Sequence, residues 1–322
     1  MGSGTLKYPA FALAPSVTAA TKSSPLLAGA PRNPTSRHRA AAPTASALQR
    51  RRPMEHFHEE EYVWLRNNVH GTYLHADSDG RSISVHERRA SLKAAWGVHI
   101  YQVNNVSYLL LYSAAYGRYL AATDTRAPVV QRGYRTEQRD YDQPELPAIM
   151  WQAVDNGLGN TSVLLRDTRG RHLCANGKHT GKFLGWYTGV TVDDIDYISS
   201  MMHWTVQTIP LRGPDMPQPG FAAPIPTILQ KLSVKLGRER GMWRLIRFTL
   251  ASAEGGYAED VNDWAELHFE GRLVYSVRKC VHKRLDRPVN LFGFAMCVRA
   301  GRYGHLTPLV KILPHGGNGE TL

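Results

Sequence analysis

The stretch Gly117-Arg118-Tyr119-Leu120-Ala121-Ala122 decides the fold, because the chain spells it nearly three times. The same phrase stands as Gly71-Thr72-Tyr73-Leu74-His75-Ala76 and as Gly170-Arg171-His172-Leu173-Cys174-Ala175. Apolar pairs lie seven and six residues before each glycine: Trp64-Leu65, Leu110-Leu111 and Val163-Leu164. Each copy then closes on a tryptophan, Trp96, Trp151 and Trp204, spaced 55 and 53 residues apart. A register held at five positions over three copies is architecture rather than a single binding loop.

The pieces of each copy read as strands. "YVWLRN", "YLLLYS" and "SVLLRD" are short β-type runs, and a second run follows through each glycine motif. Third runs are expected at "SISV", "APVV" and "GVTV", and fourth runs begin at the tryptophans. Proline, glycine and aspartate fill the gaps, as turns require. The count is twelve short strands in three repeats of roughly 50 residues, a β-trefoil over 54–209. Closure removes the sheet edges, with the repeated leucines and tryptophans expected inside.

Residues 210–226 carry six prolines and two glycines, a semi-rigid linker. Over 227–315, "WRLIRFTLA" and "WAELHFEG" alternate as strands, and Leu273, Val274, Val277, Val281 and Leu285 recur at helical spacing. "FAMCVRAG" and "TPLVKIL" follow as strands, giving a ββαββ order and a small α+β domain of ubiquitin-like grasp. Residues 316–322 are expected to be disordered. The first 53 residues lack any Asp or Glu and are rich in Ala, Ser, Pro and Arg. They read as a disordered tail, either an organelle transit peptide or an extension upstream of Met54. The expected location is intracellular and cytoplasmic, or plastid if the tail is a transit peptide.

The net charge of +12 is uneven. Residues 1–54 carry +8, residues 55–209 carry −2 and residues 210–322 carry +6. Charge concentrated in a tail argues against nucleic acid as the partner. No run approaches the ~20 apolar residues that a spanning helix needs. Three cysteines without a CxxC pair suggest neither a disulfide framework nor a zinc site. The run His56-Phe57-His58-Glu59-Glu60-Glu61 has metal-ligating residue types but no convergent partners in sequence, so it reads as solvated. His172, Cys174 and Asp167 read as structural, with Cys174 exposed and unactivated. Asp193, Asp194 and Asp196 read as a turn, and no cofactor is expected.

Two basic clusters are the candidate partner-binding residues: Arg88, Arg89 and Lys93 before Trp96, and Arg278, Lys279, Lys283 and Arg284 on the polar side of the helix. No set assembles a nucleophile, a base and an oxyanion site, so a non-enzyme is expected.

The segments "RRASLKAAWGVH", "SAAYGRYLAATD", "AIMWQAV", "VDDIDYISSMMHW" and "CVRAGRYGHLTPLV" closely resemble a plant family of unknown function. Its N-terminal domain is classed with the fascin-like, actin-crosslinking β-trefoils, and its members begin like Met54-Glu55-His56-Phe57. The resemblance covers 54 to about 313 and implies a trefoil and, by analogy of fold, filamentous actin as partner. Animal fascins string four trefoils together, so one trefoil bundles filaments only with a second site. The rival expectation is carbohydrate binding, although the Gln-x-Trp signature of ricin-like trefoils is replaced by Ala94, Ile149 and Met202 two residues before the tryptophans. A third is an adaptor that docks a protein partner through the basic helix of the ubiquitin-like domain.

Overall fold

The computed structural model describes residues 10–15, 52–128, 131–142, 146–157, 161–176, 178–179, 186–187, 189–194, 198–210, 243–251, 256–258, 260–285, 289–309, 312–315 and 320–321. Strand β1, Ala10–Pro15, belongs to the second domain and is taken up there. The trefoil begins with β2 (Tyr62–Asn67), β3 (Tyr73–Ala76), β4 (Ile83–His86) and β5 (Trp96–Val103). The second repeat is β6 (Val106–Ser113), β7 (Tyr119–Arg126), β8 (Tyr134–Arg139), a short helix α1 (Leu146–Ile149) and β9 (Trp151–Asp155). The third contains β10 (Ser162–Asp167) and β11 (His172–Ala175), then a small ribbon of β12 (Lys178–His179) with β13 (Trp186–Tyr187). It ends with β14 (Val190–Asp193) and β15 (Trp204–Thr208). Twelve of these strands form one sheet among the described residues, and it closes where β15 pairs with β2.

The repeated phrase is built the same way three times. Asn67, Ser113 and Asp167 end the first strand of each repeat, and each backbone carbonyl accepts the N–H of the motif glycine. Gly71, Gly117 and Gly170 take φ of 66°, 70° and 88°, a left-handed turn that a side chain resists. The chain reverses there and sends Leu74, Leu120 and Leu173 into the barrel, where none is exposed. Each closing tryptophan is also fully buried and donates its indole N–H to that leucine's carbonyl. Trp96 reaches Leu74 at 3.1 Å, Trp151 reaches Leu120 at 2.9 Å and Trp204 reaches Leu173 at 3.0 Å. A buried indole N–H needs such an acceptor. The expected leucine and tryptophan interior is therefore observed, as one hydrogen-bonded pair per repeat.

One strand assignment is corrected. The third strand of the second repeat is Tyr134–Arg139, not the "APVV" run, of which Val129 and Val130 lie outside the described residues. The polar sequence hides the strand because its inward residues are Thr136 and Gln138. Both are buried and find backbone acceptors, Val190 O at 2.9 Å and Ser82 O at 3.0 Å.

The second domain follows the expected ββαββ order with β16 (Trp243–Leu250), β17 (Ala265–Glu270), α2 (Val274–Arg284), β18 (Phe294–Arg299) and β19 (Leu306–Pro308). A last short strand is β20 (Glu320–Thr321). Val274, Val277 and Val281 of α2 pack on Ile246, Phe248, Leu267, Phe269 and Met296 of the sheet. Of the segments expected to be disordered, 10–15 and 320–321 are strands, and residues 1–9, 16–51, 316–319 and 322 lie outside the described residues. Residues 10–15 run parallel to β16 and antiparallel to β18, giving the order β17-β16-β1-β18-β19, and residues 320–321 pair parallel with the first part of β16. Both segments satisfy the same side of β16, whose backbone N–H and C=O groups require partners. Residues 211–242, which include most of the expected linker, lie outside the described residues.

The turn 300–305 fastens this domain to the trefoil. Tyr141 N–H donates to Ala300 O at 2.9 Å, and Tyr303 N–H donates back to Tyr141 O at 3.1 Å. His305 N–H donates to the Tyr119 hydroxyl at 3.0 Å, and Arg302 N–H to Asp142 Oδ1 at 2.6 Å. At Gly301, with φ of 83°, a Cβ would stand 2.6 Å from the Tyr141 backbone, so glycine permits the approach. "AGRYG" is therefore a docking turn.

Candidate functional site

The described part of the trefoil carries a cleft of about 390 Å³ between the second and third repeats. Its floor is the outward end of β7, Ala122 to Thr125. One wall is the β10–β11 turn, Asp167 to Arg171, and the other is Pro147 and Ala148 of α1 with Arg139 of β8. The lining holds guanidinium, carboxylate and hydroxyl groups and no aromatic ring.

Its charges are held rather than free. Arg171 follows the motif glycine, as Arg118 does in the second repeat, and both are buried. The Arg171 and Asp167 side chains are 7% and 2% exposed and meet at 2.7 Å. Arg171 also donates to the Thr123 carbonyl at 3.0 Å and lies 4.9 Å over the ring of Tyr134. Asp167 Oδ1 accepts the N–H groups of Arg169 and Arg171 at 3.0 and 2.8 Å, which shapes the turn. Breaking a buried pair of this kind by removing one member costs about 3–5 kcal/mol, so this pair is scaffold. Asp124 is different: it is largely exposed at the mouth, ion-paired to Arg169 and 3.4 Å from Arg171. Arg139 is tied to Glu137 at 2.7 Å, and that pairing, with Arg81 beside it, outweighs burial to hold the Glu137 carboxyl below its ordinary range.

The residues singled out in sequence are distributed otherwise. Arg88 and Arg89 lie in a fully exposed segment, 86–90, with Arg89 set 5.1 Å over the ring of Trp64. Lys93 does not join them: it is half-buried, bonds the Ser78 hydroxyl, and burial lowers its pKa. On α2, Arg278 turns inward, packs over Phe294 and bonds the Phe294 carbonyl. Arg284 reaches the Glu266 carbonyl at 2.6 Å, and Lys279 lies over the ring of Tyr275. Lys283 is exposed. The seven residues thus form no single basic surface. Cys174, expected to be exposed, is buried with Leu164 and Met202, and burial pushes its thiol up to about 12. Such a thiol is inert at neutral pH. Burial also lowers the pKa of His172.

The cleft residues Asp124, Arg139, Arg169 and Arg171 are absent from the sequence-based candidates. The one trace of them is the basic residue after the motif glycine, present in two copies and replaced by Thr72 in the first.

Fold and interface define a β-trefoil joined to a ubiquitin-like domain. Residues 54–207 match the family described as "Beta-trefoil domain of unknown function (DUF569)", and residues 242–322 match the "DUF569 associated ubiquitin-like domain". The two matches stand in that order along the chain and together account for residues 54–207 and 242–322. A comparison with curated proteins returns no match. Among solved structures, a Caenorhabditis elegans protein of unknown function is 17% identical, covering 48% of this chain and 97% of that one, with a TM-score of 0.39. The SDF2-like protein from Arabidopsis thaliana is 14% identical, covering 47% of this chain and 94% of that one, with a TM-score of 0.39. A ricin B-like lectin from Macrolepiota procera, in complex with lactose, is 16% identical, covering 46% of this chain and 96% of that one, with a TM-score of 0.36. Among the described residues no helix is long and apolar enough to cross a membrane.

Proposed function

We propose that this protein is a non-catalytic binding and scaffold protein whose trefoil takes a carbohydrate in the cleft beside Asp124. The observation that carries this reading is the lining of the cleft. A carboxylate accepts, guanidinium groups donate and threonine hydroxyls do both, which is the complement of a ring of sugar hydroxyls. Its volume falls within the ~300–1,000 Å³ range of small-molecule sites. The buried Arg171–Asp167 pair and the bond to the Thr123 carbonyl fix the directions of those two side chains, so they lose little freedom on binding.

A second reading is favoured by a different surface. The exposed segment with Arg88 and Arg89 lines no part of the cleft and offers two guanidinium groups, that of Arg89 stacked on Trp64, suited to an acidic protein surface such as filamentous actin. One experiment on the full chain separates the two: a glycan array beside co-sedimentation with actin filaments at low salt, run for wild type, Asp124→Ala and the Arg88→Glu/Arg89→Glu double variant. Glycan retention that is lost in Asp124→Ala supports the carbohydrate reading. Pelleting lost only in the double variant, with no glycan retained, replaces it by the filament reading. Neither signal in wild type overturns both.

A further inference from the structure

The docking face between the domains brings together three groups that lie far apart in the chain. Glu59 sits in the turn before β2, shaped by Glu60 at a left-handed φ of 63°. His99 lies in the middle of β5, and His305 is in the docking turn between β18 and β19. Glu59, His99 and His305 each offer a ligating atom, and these atoms all lie within 4.8 Å of one another.

The local contacts fix the three side chains. Glu59 Oε2 accepts the Ile100 N–H at 2.5 Å, which pins the carboxylate beside β5. Its Oε1 lies 3.9 Å from His305 Nε2. The His305 ring stacks on Tyr112, with centroids 5.4 Å apart and planes within 4°, and meets the His99 ring edge-on at 4.3 Å. Tyr119 and Tyr141 flank His99, with centroids 6.4 and 5.9 Å away. His99 Nδ1 is shut off from solvent and has no hydrogen-bond partner among the described residues. Burying a polar atom in that condition costs stability, and a ligand held there would relieve the cost.

We propose that Glu59, His99 and His305 form a binding site for a divalent transition metal of the zinc class, which clamps the trefoil to the ubiquitin-like domain. Two imidazoles and a carboxylate are the ligand types zinc takes, and imidazole selects against magnesium and calcium. Bonds of about 2.0–2.2 Å at tetrahedral angles separate ligand atoms by about 3.3 Å. The triangle therefore needs to close by no more than about 1.5 Å, within reach of side-chain rotation. Three protein ligands leave the fourth position to water.

The test uses the full chain, stripped with a chelator and titrated with zinc against a chromophoric competitor. One equivalent of zinc is expected to bind and to raise the melting temperature of the protein. Glu59→Gln and His305→Ala are each expected to weaken binding at least about tenfold and to abolish the thermal shift. Glu59→Gln alters an exposed turn, so it decides the matter even if His305→Ala loosens the docking. His58→Ala, on the neighbouring exposed histidine, is expected to leave binding unchanged. Cobalt substituted for zinc should give the intense visible bands of a tetrahedral site in wild type and not in Glu59→Gln. Zinc affinity unchanged in Glu59→Gln, or lost in His58→Ala instead, overturns the proposal.

Discussion

The two domains of this chain are assembled on opposite principles. The trefoil takes every strand of its sheet from the continuous stretch 62–208, and each repeat ties its own tryptophan to its own leucine. The ubiquitin-like domain takes a central strand, β1, from the opposite end of the chain and seats it between β16 and β18. A fold assembled from local repeats writes its geometry into sequence spacing. A sheet completed over long range leaves almost no such trace, because six residues of one strand carry little periodicity.

The strongest way to break this contrast is inside the barrel. Leu120→Asp places an unpaired carboxylate where no side-chain surface is exposed, and is expected to cost more than about 4 kcal/mol. A melting temperature equal to wild type would remove Leu120 from the interior. Deletion of residues 1–53 comes next. It should leave hydrogen-exchange protection in the trefoil intact and strip it from β16 and β18, which lose the backbone partners of β1. Equal protection of β16 and β18 in both proteins would show that the second domain stands without the strand.

The tryptophans sharpen the threefold comparison at a smaller scale. Trp96→Phe, Trp151→Phe and Trp204→Phe each leave a buried leucine carbonyl without its donor and are expected to cost about 1–3 kcal/mol. Chemical denaturation should give three values within about 1 kcal/mol of one another; a single outlier would mark a repeat that does not share the arrangement. A last effect is pH-dependent and confined to the docking face. His99 has its pKa lowered to about 4 in the folded chain, from an ordinary 6.5. Between those values the unfolded chain binds more protons, so stability rises with pH there. His99's contribution is complete above about pH 6.5 and fades as pH falls toward 4. His99→Gln should flatten that part of the stability profile measured without metal, and an unchanged slope would contradict the assignment.

The leucines and tryptophans were legible in sequence because barrel geometry forces the same residue into the same layer three times. Strand β8 was not, since Thr136 and Gln138 point inward and are satisfied by backbone carbonyls rather than by apolar neighbours. Cys174 misled for a related reason. The barrel has a second apolar layer on its outer side, with Leu164 and Met202, so both faces of β11 are covered and alternation loses its meaning. On α2 the spacing correctly gives the apolar stripe. It does not show that Arg278 folds its guanidinium back onto the start of β18, where it meets the Phe294 carbonyl and ring. The cleft draws its residues from β7, β8, α1 and the β10–β11 turn, and no local pattern links Asp124 to Arg169 or to Ala148.

The placement of β1 beside β16 also determines how this molecule would carry tension. Following the chain, the backbone leaves the second sheet at residue 15, lays down the entire trefoil and returns to the adjoining strand at residue 243. A pull applied through β1 and β20 is therefore borne first by the hydrogen bonds of the second sheet. The trefoil sits in a closed loop outside the load path and feels no force until β1 has been torn from β16 and β18. In a single-molecule stretching experiment the rupture of that sheet should precede, and gate, the extension of the trefoil.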